Sequence, residues 1–71
     1  MKNYYMSTGS NDLKPFTSRF EHTAKAKAFI KLSHLPECII LWDSTKTPIA
    51  QRKCFKDQWG KHTHHNWEAI K

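Results

Sequence analysis

The stretch Glu37–Phe55, ECIILWDSTKTPIAQRKCF, decides the fold because it predicts a β-hairpin. Its first strand, Cys38–Trp42, is the most apolar and most β-branched run of the chain. The polar residues that follow Asp43 suit a hairpin loop, and Pro48 opens the second strand, where a missing N–H is best tolerated. We therefore expect the rest of the chain to cover one face of this hairpin.

Two strands are predicted before the hairpin. Residues 3–8 form the first, and a Gly-Ser-Asn-Asp turn separates it from the second, residues 13–21. Phe16, Ser18 and Phe20 alternate with polar residues in the second segment, which is typical of a half-buried strand. The alternative is a capping box, Ser18-x-x-Glu21, that starts a helix early. We favour the strand, because Phe20 would lie off the apolar face of such a helix.

Residues Thr23–Leu35 predict a helix that is capped by its own first residue. Lys27 and Lys31 lie on the side opposite the apolar stripe, and Ile30 is the one apolar residue that lies with them. Pro36 stops the helix, since the residue before a proline is pushed out of helical geometry. The stripe that is predicted to face the sheet consists of Ala24, Ala28, Leu32 and Leu35, with Phe29 on its flank.

The residues after the hairpin, 56–71, carry no long periodic pattern. Trp59-Gly60 predicts a turn, residues 61–65 predict a loop, and Asn66 predicts the cap of a short final helix over residues 67–71. The predicted fold is therefore α+β: a small antiparallel sheet with elements in the order β-β-α-β-β, one helix packed on one face, and a short irregular or helical C-terminal tail. We expect residues 1–71 to form a single small domain, because 71 residues are too few for two cores.

The register of the hairpin decides whether its cysteines meet. A loop of even length pairs Trp42 with Ile49 and puts Cys38 and Cys54 on opposite faces. A shift by one residue places the two thiols within disulfide reach. We expect two reduced thiols, as is usual in the cytoplasm.

The chain carries 12 Lys and Arg residues against 6 Asp and Glu residues, which gives a formal net charge of +6. Such a surface favours acidic partners, either an acidic protein surface or nucleic acid. The N-terminus lacks the apolar segment of a signal peptide, and no apolar run approaches the roughly 18 residues of a membrane span. We therefore expect a cytoplasmic protein with no membrane partner.

Basic and aromatic residues are interleaved where the second hairpin strand runs into the tail. Cations neutralise phosphates or carboxylates while aromatic rings stack on bases, so this mixture suits a binding surface. The alternative is that the lysines form the solvated face and the tryptophans belong to the core. The predicted partner or nucleic-acid contacts are Arg52, Lys53, Lys56, Trp59 and Lys61, with Lys27 and Lys31 of the helix as a second patch.

A metal site or an active centre would have to come from Cys54 and the histidines of the tail, with Cys38 as a further candidate metal ligand. Cysteine and histidine are zinc ligands, but the spacing of Cys54, His62, His64 and His65 matches no paired-ligand pattern. The same histidines, with Asp57 or Glu68 as the orienting carboxylate, suggest acid–base catalysis, yet the chain has no glycine-rich phosphate loop and no nucleophile or paired-carboxylate motif. We therefore predict no catalytic residue, no metal and no cofactor.

In size, charge and element order, the chain resembles the short α+β proteins that phages and plasmids encode to bind and block host machinery. That resemblance implies a small basic binding protein without enzymatic activity, an accessory protein or inhibitor that blocks nucleic-acid-handling host or defence machinery. The alternative is a module that binds DNA or RNA directly through its basic and aromatic residues. Tyr4, Tyr5 or an uncovered strand offers a route to self-association, so the protein is expected to be a monomer or a homodimer.

Overall fold

The computed structural model describes residues 1–70, which contain seven strands and one helix. These elements are β1 Lys2–Thr8, β2 Asn11–Ser18, α1 Glu21–Leu32, β3 Ile39–Trp42, β4 Pro48–Arg52, β5 Cys54–Lys56, β6 His62–His64 and β7 Glu68–Ala69. Five strands form an antiparallel sheet in the order β2-β1-β3-β4-β7, while β5 and β6 form a separate two-stranded ribbon. The predicted α+β class, with one helix and an antiparallel sheet of several strands, is confirmed.

Helix α1 packs on one face of the sheet, against β1, β2 and β3. Ile39 and Leu41 of the central strand β3 are fully buried beneath it, and burial of such a side chain stabilises a fold by roughly 1.5–3 kcal/mol. Two adjoining clusters make up the core: Tyr4, Ala24, Leu41 and Ala50 form one, and Met6, Ala28, Leu32 and Ile39 form the other. Within residues 1–70, no helix is long and apolar enough to span a membrane.

The helix begins at Glu21, two residues earlier than predicted. Thr23 therefore caps from inside the first turn, because its Oγ1 accepts a hydrogen bond from the Phe20 amide (3.3 Å) and donates one to the Phe20 carbonyl (2.8 Å). The Ser18–Glu21 capping box does not form, since Ser18 ends β2 and its hydroxyl bonds to that of Thr23 (2.5 Å). Phe20, predicted to point inward, is 53% exposed because the strand ends before it.

The helix ends at Leu32, three residues before the predicted end at Leu35. The Ser33 amide still donates to the Phe29 carbonyl (2.8 Å), whereas the Leu35 amide donates to the Leu32 carbonyl (3.1 Å), which makes a tighter turn. The helix therefore ends before the chain reaches Pro36, the residue that was predicted to stop it.

The β3–β4 hairpin forms where it is predicted, with a register that contains one irregularity. Trp42 lies opposite Pro48 instead of Ile49, because one extra residue of β4 is inserted between the pairs at Leu41 and Trp42. Beyond the irregularity, Ile39 lies opposite Arg52, as the even-length loop requires. Only the pair next to the loop, Trp42 with Pro48, therefore departs from the predicted register. The pairs from Leu41 to Ile39 keep it.

The tail differs from its prediction. Residues 61–65, predicted as a loop, include strand β6, and the predicted final helix is instead the two-residue strand β7. Ala69 and Glu68 pair with Ala50 and Gln51 of β4, and the Ile70 amide donates to the Ile49 carbonyl (3.0 Å). The open edge of β4 offers backbone groups that need partners, and this pairing satisfies them. Lys71 of the predicted helix lies outside the described residues.

Candidate functional site

The β5–β6 ribbon forms because the chain leaves the five-stranded sheet after Arg52. Its strands pair with one another, with Cys54 opposite His64, and within the described chain neither strand joins the larger sheet. A hydrogen bond from the His65 amide to the Lys53 carbonyl (2.7 Å) extends the ribbon toward its base. Every residue of both strands is half-buried or exposed. The ribbon is thus an accessible element, and it fits the elongated shape of the molecule, 41 × 21 × 19 Å.

The tip of the ribbon is the loop 57–61, which Asp57 organises. The Oδ1 of Asp57 accepts hydrogen bonds from the amides of Trp59 (2.9 Å) and Lys61 (3.0 Å). The Asp57 amide donates to the Lys61 carbonyl (2.9 Å), and Gly60 supplies the left-handed conformation that the turn requires, with φ of 82°. Trp59 is 81% exposed on this loop. A hydrogen-bonded loop therefore presents a large aromatic side chain to solvent.

The three tryptophans occupy different environments. Trp42 is half-buried and donates a hydrogen bond from Nε1 to Ser7 Oγ (2.8 Å), while Trp67 is half-buried against both core clusters. Trp59 alone among them lies in solvent. The reading that assigns every tryptophan to the core is therefore wrong for Trp59.

The two faces of the ribbon have different surroundings. On one face, His64 lies edge-on to Phe29 of the helix (6.0 Å between ring centroids), and its Nε2 is 3.1 Å from the Glu37 carbonyl oxygen. On the other face, Phe55 is 46% exposed and contacts His65 edge-on, at 4.7 Å between centroids. His64 thus fixes the base of the ribbon to the body, and the Phe55 face stays open.

Arg52 lies at the base of the ribbon as a packing residue. Its guanidinium carbon is 4.0 Å from the Phe29 ring centroid and 5.9 Å from that of Trp67. Its Nε atom is buried and has no hydrogen-bond partner among the described residues, and burial lowers the pKa of the guanidinium. The structure thus places this predicted contact residue between the helix and the tail.

The predicted lysines of the ribbon lie at three heights along it. Lys53, at the base, has its Nζ 3.7 Å from Glu68 Oε1, and both side chains are well exposed. Lys56, just before the tip loop, and Lys61, its last residue, are both exposed, and the ion pairs found among residues 1–70 include neither of them. The tip therefore combines Trp59 with two positive charges.

The predicted helix lysines belong to a different surface. Lys27 and Lys31 are each two residues from Phe29, which places them about 200° around the helix from it. The Lys27 Nζ donates to the Thr17 carbonyl of β2 (3.0 Å), and both lysines line a groove that contains Met6. Apart from Arg52, which packs between the helix and the tail, the predicted contact residues therefore divide into a ribbon group, Lys53, Lys56, Trp59 and Lys61, and a groove group, Lys27 and Lys31.

The ribbon places Cys54 opposite His64, and His62 lies edge-on to His64 with 5.8 Å between ring centroids. Within residues 1–70, no three His, Cys, Asp or Glu side chains are arranged to hold a metal ion. Both thiols are free, and burial is the main cause that raises the pKa of Cys38, whose Sγ lies 3.6 Å from Gln51 Oε1.

Tyr4, proposed for self-association, is buried in the core and unavailable to a second copy.

No protein-family model matches this chain, and neither a curated protein nor a solved structure is significantly similar to it.

Proposed function

We propose that the protein is a non-enzymatic binding protein whose contact element is the β5–β6 ribbon. Its partner is an acidic surface on nucleic-acid-handling host or defence machinery, which the protein occupies and blocks as an accessory or inhibitor of the phage or plasmid type. The observation that carries this proposal is the 81% exposure of Trp59 at the tip of the ribbon. Tryptophan is enriched among the residues that dominate binding energies at interfaces.

The charge of the tip supports an acidic partner. Lys56 and Lys61 flank Trp59, and the whole chain has a formal net charge of +6. Such a field attracts acidic surfaces over distances of about 8–10 Å at physiological salt and speeds their encounter. The exposed ring then supplies the apolar contact area that charge alone lacks.

The surroundings of the two candidate orienting carboxylates, Asp57 in the ribbon and Glu68 in β7, support a role without catalysis. Asp57, a carboxylate suited to orient a histidine base, accepts two backbone hydrogen bonds within its own loop. Glu68 lies near Lys53 and accepts a hydrogen bond from Gln51 Nε2 (3.3 Å). An active centre needs a base, an orienting group and a place for the reacting atom to lie together, whereas these groups are engaged in structural contacts.

A pull-down from source-cell lysate tests this proposal. We expect wild-type protein to retain a partner protein after nuclease treatment, and we expect Trp59→Ala and the double variant Lys56→Glu/Lys61→Glu to lose it. The matched control is Lys2→Glu/Arg19→Glu, which makes the same charge change on exposed residues at the opposite end of the sheet. Retention by the ribbon variants equal to that of wild type, or no partner at all, contradicts the proposal.

The same ribbon favours one second candidate, direct binding of single-stranded nucleic acid. Phe55 and Trp59 are exposed rings that alternate with Lys56 and Lys61, and base stacking on such rings contributes about 1–3 kcal/mol per base. The nuclease arm of the pull-down separates the two candidates. A partner that depends on the ribbon and disappears after nuclease treatment shows that nucleic acid was the molecule bound.

A further inference from the structure

A shallow groove lies between helix α1 and the β1–β2 edge of the sheet, away from the ribbon. Apolar side chains form its floor and one wall: Met6 and Phe16 come from the strands, and Ile30 comes from the helix. Met6 is 7% exposed, whereas Ile30 is 75% exposed. We call this surface the lysine-rimmed groove, because Lys27 and Lys31 also line it. Lys14 lines an adjoining depression that shares Met6, Phe16 and Lys31 with the groove, and all three lysines are exposed.

The charge at the groove has no acidic counterpart within the described chain. Lys27 and Lys31 are four residues apart on one helix face, where like charges are mutually destabilising. Among residues 1–70, the ion pairs involve Lys25 and Lys53, so the groove lysines have no carboxylate partner there. The one side-chain bond of Lys27 goes to a neutral carbonyl, that of Thr17. An apolar surface with uncompensated positive charge around it remains open.

We propose that the lysine-rimmed groove binds an acidic peptide segment that carries apolar anchor side chains. The anchors pack against Met6, Phe16 and Ile30, and the carboxylates of the segment pair with the surrounding lysines. Met6 suits such a role because its thioether adapts to side chains of different shape. Ile30 then loses most of its exposure to water when the segment binds, which supplies the apolar part of the affinity.

The groove fits this partner better than two other occupants. A nucleic acid would satisfy the lysines, but Met6 and Ile30 offer no flat ring on which a base could stack and no hydrogen-bond partner for a sugar. A second copy of this chain would bring its own net charge of +6 to a positive surface, which opposes association. An acidic and apolar peptide complements both properties at once.

Three labelled peptides test the proposal by fluorescence anisotropy at low salt. The probe alternates Glu with Leu, one control alternates Glu with Ser, and the other alternates Lys with Leu. We expect wild-type protein to bind the Glu-Leu peptide more tightly than either control, with affinity that falls as salt rises. Equal binding of the Glu-Ser peptide, tighter binding of the Lys-Leu peptide, or no binding of any peptide overturns the proposal.

Variants then locate the binding site. Ile30→Gln changes an exposed side chain, so the fold should survive, which far-UV circular dichroism checks; we expect it to weaken Glu-Leu binding by about tenfold. Lys27→Glu/Lys31→Glu should weaken it at least as much, while Lys2→Glu/Arg19→Glu with the same charge change should bind nearly as wild type. Trp59→Ala should bind unchanged, because the groove is separate from the ribbon. Wild-type affinity in Ile30→Gln or in the groove lysine variant refutes the assignment.

Discussion

The guanidinium of Arg52 lies between two aromatic rings, 4.0 Å from the Phe29 centroid and 5.9 Å from the Trp67 centroid. Phe29 belongs to the helix and Trp67 precedes β7, so one side chain bridges two elements that are distant in sequence. A planar, weakly hydrated guanidinium is suited to this place, because it stacks on rings while its stem covers apolar surface. Arg52 therefore contributes to the attachment of the tail.

We expect Arg52→Ala to lower the free energy of unfolding by about 1–2 kcal/mol through the loss of these ring contacts. Arg52→Lys should recover only part of that loss, because an ammonium does not stack as a planar group does. Urea denaturation measures the effect. The control is Lys53→Ala, whose exposed ion pair with Glu68 should contribute no more than about 0.5 kcal/mol. Equal stability of the Arg52→Ala and Lys53→Ala variants would contradict the packing role.

Ile30 carries a signal that is visible in the sequence. It falls with lysines on the polar side of the helix, and the structure confirms that it is exposed there. The pattern does not identify the groove, because the groove also needs Met6 and Phe16 from strands whose position relative to the helix is set by tertiary packing. An apolar residue on the polar side of the helix thus indicates one wall of the groove. The packing of the strands against the helix adds the other apolar side chains.

Two hairpin loops of the molecule are built in the same way. In the loops 43–47 and 57–61, the first residue is aspartate, and its Oδ1 accepts hydrogen bonds from the third and fifth amides. The fourth residue is left-handed in both, Lys46 with φ of 62° and Gly60 with φ of 82°. In the first loop, the Thr45 hydroxyl and the Thr47 amide hold the pKa of Asp43 below its usual value. The shared design explains why residues 57–61 turn sharply enough to form a ribbon.

This equivalence predicts that glycine is favoured over alanine at the fourth position of both loops. Lys46→Gly should be more stable than Lys46→Ala by about 1 kcal/mol, because glycine relieves the left-handed strain, partly offset by greater freedom of the unfolded chain, and both variants lose the contact of Lys46 Nζ with the Tyr5 ring (5.5 Å to the centroid). Gly60→Ala should destabilise the ribbon by about 1 kcal/mol for the converse reason. Urea denaturation of the two Lys46 variants reports the first difference, and amide hydrogen exchange at Asp57 and His65 reports the second. Equal stability of the two Lys46 variants, or no loss of amide protection in Gly60→Ala, would refute the equivalence of the loops.

The helix and the β3–β4 hairpin can be predicted from local sequence patterns, whereas the strands of the tail cannot. Residues 24–32 repeat small and apolar side chains at helical spacing, and residues 38–42 form a β-branched run, so each segment specifies its own conformation. Strand β7 has two residues and exists because the edge of β4 needs a partner. The ribbon strands have three residues each and depend on the Asp57 loop. Short strands that are held by tertiary pairing leave little periodic signal.

At the scale of the whole molecule, the sheet and helix form a body from which the ribbon extends. Thr8, Ile39 and Arg52 lie side by side in β1, β3 and β4, so Arg52, after which the ribbon begins, is at one end of the sheet. Lys2 begins β1 at the other end. The predicted contact residues are distributed over this shape, with Lys56, Trp59 and Lys61 on the ribbon and Lys27 and Lys31 at the groove. A small basic chain can in this way offer two separate surfaces, each with its own aromatic or apolar contact and its own charge.

Photo-crosslinking with p-benzoylphenylalanine tests whether the ribbon is the element that contacts the partner. The crosslinker replaces Trp59 in one protein and Phe20, an exposed aromatic residue outside the ribbon, in the other. We predict that the partner retained from nuclease-treated lysate is crosslinked from position 59 and not from position 20. Crosslinking from position 20 alone, or a retained partner that never crosslinks from position 59, would contradict the claim.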